Sequence, residues 1–249
     1  MRTAWEISRE MFLSEQEVHV LLGHVRRDLA ALPPADGRAA QLDRLIVETL
    51  LFTGLRNSEF CRLRHGDLDR DASGARLTIR QGDPTRQGEA IDREVYVPSP
   101  LARLIAEYCE TTRNCLLPAD ADPADPLQPL VFHERRRPFE RTGLYRRVVR
   151  ILSEAGLGDR ASVQLLRHTY GYLAYLRTGG NLLFTQRQLG HAHPIVTSIY
   201  AQFVPESYSR LAEMLAMEPP TEPTDAKRSP GKRLTRKTSP STSPPGAST

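Results

Sequence analysis

A mainly α-helical domain with one small antiparallel sheet is the fold class this sequence predicts. Three observations carry that expectation. Apolar residues recur at helical spacing through most of the chain, and only two short stretches, 75–80 and 93–97, alternate apolar with polar residues. Those two stretches flank a Gly- and Pro-containing segment, 82–88, as paired strands around a long turn would. The 249 residues suffice for one large domain or two small ones with a buried core.

Taken in order, Ser14-Glu15-Gln16-Glu17 is a capping-box pattern that opens a helix carrying Val18, Leu21, Leu22 and Val25. Pro33, Pro34 and Gly37 close that unit. Residues 41–52 then predict a buried helix through Leu42, Leu45, Ile46 and Leu50. Gly54 breaks it, and Asn57 or Ser58 is suited to cap a short helix running to about Leu63. After the two strands, Pro98-Ser99-Pro100 precedes a helix over 101–113, and the four prolines of 118–129 mark a surface loop. Further helices are predicted over 141–155, 162–177, 182–189, 194–201 and 205–217.

The net charge of +4 is unevenly spread. From Glu218 onward six Lys/Arg face three acids, among seven prolines and many Ser/Thr, with Leu234 the one large apolar residue. Such a stretch buries too little surface to fold and predicts a disordered basic tail. Between His133 and Arg150 lie seven arginines and only two acids. Arg135, Arg136, Arg137 and Arg146 of that cluster are candidate phosphate-facing residues. Cys61, Cys109 and Cys115 form no Cys-x-x-Cys pair and are expected as reduced thiols of a cytoplasmic protein. No apolar run approaches the roughly 18–20 residues a bilayer span needs, and the first ten residues lack a secretory apolar core.

The chemistry is carried by three short motifs: Thr53-Gly54-Leu55-Arg56-Asn57-Ser58-Glu59, Leu166-Arg167-His168-Thr169, and Leu189-Gly190-His191 followed nine residues later by Tyr200. Two arginines, a histidine and a late tyrosine suit attack of a phenol on a phosphodiester. Guanidinium forks hold the non-bridging oxygens, while the phenol, with an ordinary pKa near 10, needs help losing its proton. His191 and His193 lie two apart, point in different directions on a helix and have no accompanying carboxylate or cysteine, so they are not expected to hold a metal.

In this ordered set the chain resembles the catalytic domain of the tyrosine recombinases, the phage integrase family, over roughly residues 13–216. The resemblance implies an integrase-like domain of the DNA breaking and rejoining type over residues 12–217, after a leader of residues 1–11 and before the tail of 218–249. It implies Arg56 and Arg167 as phosphate binders and His191 as a phosphate ligand or proton relay. Tyr200 becomes the nucleophile of a 3′-phosphotyrosyl intermediate, made without metal or nucleotide cofactor. Glu59 would orient the local helix; Tyr170, Tyr172, Tyr175 and Tyr208 are assigned to packing. Double-stranded DNA and a homo- or hetero-oligomer on it, a tetramer at paired sites, are the implied partners, with no membrane.

The pattern departs from the family in three places. Its histidine three residues before the second arginine is Gln164 here, which hydrogen-bonds but is no base, and His168 is not expected to substitute for it. The lysine usual between the second and third strands is absent; Gln81 or Pro84 falls at its position, with Arg80 or Arg86 near. Finally, the resemblance begins near Phe12, so the family's preceding DNA-gripping domain is not expected. The sequence thus leaves open a site-specific recombinase, a catalytically impaired DNA-binding or accessory relative, and a type IB topoisomerase-like enzyme.

Overall fold

The computed structural model describes residues 8–27, 33–72, 74–80 and 92–204, all within one compact unit that ends at Pro205. The predicted helix over 205–217, with Tyr208, lies outside the described residues, as do the tail and Arg86. The fold class is as predicted: helices surround a single sheet of three antiparallel strands in the order β1-β2-β3.

The first helix, α1 (Glu15–Val25), starts where the capping box places it. Glu17 N–H donates to the Ser14 hydroxyl at 3.2 Å, and the Glu17 carboxylate accepts from Ser14 N–H at 2.7 Å. Then comes α2 (Pro34–Thr53), seven residues longer at its start than predicted. Pro33 and Pro34 read as breakers, but a proline in the first turn has no N–H to leave unpaired and its φ already suits a helix. This helix is the hub of the domain. Leu42, Leu45, Ile46, Val47, Leu50 and Leu51 are buried round nearly its whole circumference, against α1 and against later elements. Its two buried acids are both neutralised: Glu48 accepts from Arg26 and Arg44, and Asp43 from Arg147 and Arg150.

Gly54, at φ 64°, ends α2 in the left-handed region, and α3 (Asn57–Cys61) follows at once. Arg56, not Asn57 or Ser58, is its N-cap, and the cap hydrogen bond comes from inside the helix, where Glu59 accepts from Arg56 N–H. The sheet comprises β1 (Leu68–Asp71), β2 (Gly74–Ile79) and β3 (Arg93–Val97), with Leu68 opposite Leu77 and Leu77 opposite Val95. The sequence predicts the last two strands but not β1, whose Leu-Asp-Arg-Asp composition hides an exposed edge strand.

Beyond the sheet, α4 (Ser99–Tyr108) passes through a π-turn over Cys109–Arg113 into α5 (Asn114–Leu116). The fully buried Arg113 guanidinium donates to the carbonyls of Pro123 and Pro129, tying down the proline-rich loop. The chain then forms α6 (Arg141–Glu154), α7 (Val163–Arg177, capped by Ser162), α8 (Leu182–Leu189, capped by Asn181) and the short α9 (Ile195–Ser198). α7 packs along α2, and α8 rests on α7 and β3. The three sequence motifs therefore end at one place. Among the described residues no helix is long and apolar enough to cross a membrane.

Candidate active site

Two glycine turns build the floor of the site. A Cβ on Gly54 would overlap the Tyr170 ring and the Leu189 side chain; one on Gly190, also at positive φ, would overlap the Arg93 guanidinium. Only glycine permits both the left-handed backbone and this approach. The turn after α2 and the turn after α8 are thereby drawn together, with α7 beneath them.

Arg167 projects from α7 into this junction and is 4% exposed. Its Nη1 donates to the Gly54 carbonyl at 2.5 Å and its Nη2 to the Leu189 carbonyl at 2.7 Å, so one guanidinium clasps both turns. Burial, and then the charge of nearby Arg56, pull its pKa down to about 10. Arg56 lies on the open side. Its Nη1 donates to Glu59 at 2.7 Å and its Nη2 to the Gly190 carbonyl at 3.1 Å.

Glu59 is buried, at 5% exposure, between two cations. Besides Arg56 it accepts two bonds from Arg93, at 2.6 and 3.0 Å. Burial alone would raise its pKa, but the hydrogen bonds and charge of Arg93, with help from Arg56, overcome this and hold the carboxyl at about 2. Glu59 was expected to orient its own helix; it also joins that helix to β3.

His191 follows Gly190, and its Nδ1 is 2.9 Å from the hydroxyl of the buried Thr197. Burial lowers its pKa to about 4, assisted by the positive charges of Arg167 and Arg56. The imidazole is therefore neutral at pH 7.

Tyr200 comes after α9 and is 1% exposed. Its ring lies on Gly171 of α7, where any Cβ would strike the phenol, and packs with Phe12, Tyr170, Ala174 and Leu189. Tyr172 and Tyr175 border the same cluster, as their packing assignment requires. Burial raises the phenol pKa to about 12, against the pull of the Arg167 charge. The hydroxyl is 3.0 Å from His168 Nδ1, and His168 Nε2 is 3.1 Å from Gln164 Nε2.

Arg56, Arg167 and His191 lie close enough to feel one another's charge, Tyr200 lies near Arg167, and Gln164 contacts Tyr200 through His168. His168 does not point away from residue 164, as was expected: the two are one turn apart on α7 and their side chains meet. Arg93 was also missed, although the two-residue period of β3 sets it on the same side as the buried Val95 and Val97. Arg80, one of the two arginines expected near the missing lysine, donates to the buried Asp67 at 2.9 Å.

The arginine cluster divides in two. Arg135, Arg136, Arg137 and Arg146 are exposed, and three of them (Arg135, Arg137 and Arg146) line an open groove of about 680 Å³ with His133 and Phe139. Arg147 and Arg150 border the same groove but turn onto Asp43, at 2.6 and 2.8 Å. The local excess of charge on this face is therefore smaller than the sequence count implies.

A helical body on a three-stranded sheet, with two arginines, a histidine and a tyrosine gathered where its turns meet, defines the catalytic-domain fold of DNA breaking and rejoining enzymes. Residues 12–206 match the phage integrase family, and this chain belongs to that family. It is 30% identical over 193 residues to tyrosine recombinase XerA of Thermococcus kodakarensis, covering 76% of this chain and 59% of the relative. It is 27% identical over 177 residues to tyrosine recombinase XerC of a Roseiflexus species, covering 71% and 51%. The chain spans between half and three-fifths of the length of these curated relatives. Among solved structures, the XerA recombinase crystal structure aligns at TM-score 0.59 and 27% identity, covering 82% of this chain and 64% of that one. XerH recombinase bound to palindromic difH substrate shares the fold at TM-score 0.62 and 23% identity, covering 83% and 52%.

Proposed function

We propose that this chain is the catalytic part of a site-specific DNA recombinase of the tyrosine type, formed by residues 12–217 and followed by a basic tail over 218–249. The observation that supports the reading is the clasp of Arg167 on the Gly54 and Leu189 carbonyls, with Arg56 on the neighbouring Gly190 carbonyl. A guanidinium has five N–H donors, so Arg167 keeps others free for a phosphate after holding both turns. Desolvated and fixed in advance, such donors stabilise the extra charge of a pentacovalent phosphorus without reorganising.

In this reading Arg56 and Arg167 bind the non-bridging oxygens and His191 donates a further hydrogen bond. The Tyr200 oxygen then bonds phosphorus while the bond to the 5′ oxygen breaks, leaving a 3′-phosphotyrosyl link and a 5′-hydroxyl. The link conserves the energy of the broken ester, so rejoining needs no nucleotide, and the arginines supply the charge a metal would otherwise bring. Tyr200 is buried in this state, its ring on Gly171 and its hydroxyl beside His168. Arg135, Arg136, Arg137 and Arg146 supply a surface for the flanking backbone, with Arg86 as a further contact. The protein works in the cytoplasm as a homo- or hetero-oligomer, a tetramer on paired double-stranded sites.

The test offers the full chain a library of duplexes with a randomised core and a single nick, so that the released fragment diffuses away and trapped adducts accumulate. Covalent protein–DNA adducts that Tyr200→Phe abolishes support the reading, and sequencing the trapped duplexes gives the site. Specific binding with no adduct from the wild type identifies an accessory DNA-binding relative instead.

A further inference from the structure

Resting on that reading, we propose that His168 is a catalytic residue of this chain, the group that takes the proton from the Tyr200 hydroxyl as the phenol attacks and returns it when the strands are rejoined.

The geometry confines the choice of acceptor. The hydroxyl lies 3.0 Å from His168 Nδ1, within reach for direct transfer. His191, the other imidazole of the site, has its Nδ1 committed to the Thr197 hydroxyl at 2.9 Å. Gln164, at the position where a histidine was expected, has no basic atom and stands behind His168, 3.1 Å from its Nε2. The three side chains form a file from exposed Gln164 through half-buried His168 to buried Tyr200. A proton leaving the phenol therefore has a route to solvent through one ring.

The glutamine fits this task. With the Gln164 amide nitrogen 3.1 Å from the ring, its N–H donates to a bare Nε2. Turning the amide by half a rotation brings its oxygen there instead, so that Nε2–H donates to it and the Nδ1 lone pair faces the phenol O–H before transfer. After transfer the ring sheds the Nε2 proton to water, and the amide turns so that its own N–H donates to the bare Nε2. An amide carries both a donor and an acceptor, so it satisfies either tautomer at no charge. Atoms balance: the O–H proton goes to Nδ1 and the oxygen forms its bond to phosphorus. The 5′ oxygen leaves with its electron pair and is protonated by water, which recovers the Nε2 proton. Rejoining runs the same steps backwards.

Arrival of the substrate also improves the base. His168 is neutral at pH 7 because burial, and then the charge of Arg167, lower its pKa to about 4. A phosphate bound to Arg167 cancels the second influence and strengthens the imidazole as the phenol is called on to ionise.

Two measurements test the proposal. The first needs no DNA: in the full chain labelled with 15N-histidine, Nδ1 of His168 should show the shift of a lone-pair nitrogen engaged by a donor, lost in Tyr200→Phe. A protonated Nδ1 in the wild type at pH 7 that is unmoved in Tyr200→Phe overturns the proposal. The second compares single-turnover adduct formation on a duplex recovered from the nicked library. His168→Asn, which offers an oxygen near Nδ1 but no basic nitrogen, and His168→Ala should each slow the adduct about 10²–10⁴-fold with DNA binding retained, and added imidazole should partly restore the alanine variant. A melting temperature within a few degrees of the wild type for either variant excludes misfolding as the cause. If both form adduct at the wild-type rate, His168 is not the acceptor and the recombinase reading stands. If the wild type forms none, that reading falls and this inference falls with it.

Discussion

Arg93 and Glu59 join the sheet to the turn that carries Arg56: two hydrogen bonds, at 2.6 and 3.0 Å, cross from the start of β3 to a carboxylate that also holds the Arg56 guanidinium. Both side chains are largely buried; losing Glu59 strips Arg93 of its carboxylate, and losing Arg93 leaves the buried Glu59 with Arg56 alone. Arg93→Ala should therefore destabilise the domain by about 3–5 kcal/mol, the usual range for breaking a buried pair from one side. Arg93→Lys should recover part of this, since an ammonium supplies the charge without the two-pronged geometry. Urea denaturation of the three proteins checks it; equal midpoints would mean that Glu59 is satisfied by Arg56 alone.

The same carboxylate and the two imidazoles set how the domain responds to acid. His168 and His191 titrate near 4 in the folded chain against an ordinary value near 6.5. Between those values the unfolded chain binds more protons, so their contribution is full above pH 6.5 and is lost as pH falls to 4. Glu59, at about 2, adds a contribution present above its ordinary value near 4.5 and lost on further acidification towards 2. Stability should thus decline steadily from pH 7 to pH 4. The double variant His168→Gln/His191→Gln should flatten the slope only in part, because burial shifts His65 and His133 the same way. A stability constant from pH 7 to 4.5 would contradict the buried, neutral state of both rings.

How much of this was legible beforehand depends on how local each cause is. The Ser14 capping box, the break at Gly54 and the helix end at Leu189 are decided by neighbours in sequence, and all were readable. The strand β1 was not, since an edge strand of Asp and Arg has no apolar alternation to betray it. The early start of α2 was hidden by prolines that end a helix from within and begin one from its first turn. Within the site, order and spacing sufficed to single out Arg56, Arg167, His191 and Tyr200 as candidates. The contact of His168 with Gln164 was open to the one-turn rule and was not expected. The charge of the arginine cluster could not be counted locally, because Asp43 neutralises Arg147 and Arg150 from more than one hundred residues away.

That division of the cluster predicts two different phenotypes from neighbouring charges. Arg135→Ala/Arg137→Ala/Arg146→Ala removes exposed charges that hold no ion pair among those described, and should leave stability unchanged. If these three meet DNA phosphates, the slope of log affinity against log salt should become shallower by about 2–3. Asp43→Asn should instead destabilise the fold by leaving Arg147 and Arg150 without their shared partner. Binding isotherms on a random duplex at several salt concentrations, beside thermal melts, separate the two. An unaltered salt slope in the triple variant would remove this groove from the DNA path.

Gly171 isolates the placement of the nucleophile from the strength of the fold. A glycine within an exposed stretch of α7 would be improved by alanine by up to about 1 kcal/mol. Here the added methyl would lie inside van der Waals contact of the Tyr200 ring, including its hydroxyl oxygen. Gly171→Ala must therefore displace the ring or α7, and overpacking of this kind costs about 1–3 kcal/mol. The ring is held only by packing and one hydrogen bond, whereas α7 is fixed along α2, so the ring should yield. The expected result is a tyrosine shifted away from His168, visible in the near-ultraviolet circular dichroism and in loss of the His168 nitrogen shift. Adduct formation should fall by at least tenfold, beside a drop in melting temperature of about 2–4 °C per kcal/mol of overpacking cost. A variant that keeps the wild-type histidine shift and adduct rate would show that the phenol does not rest on Gly171 in solution.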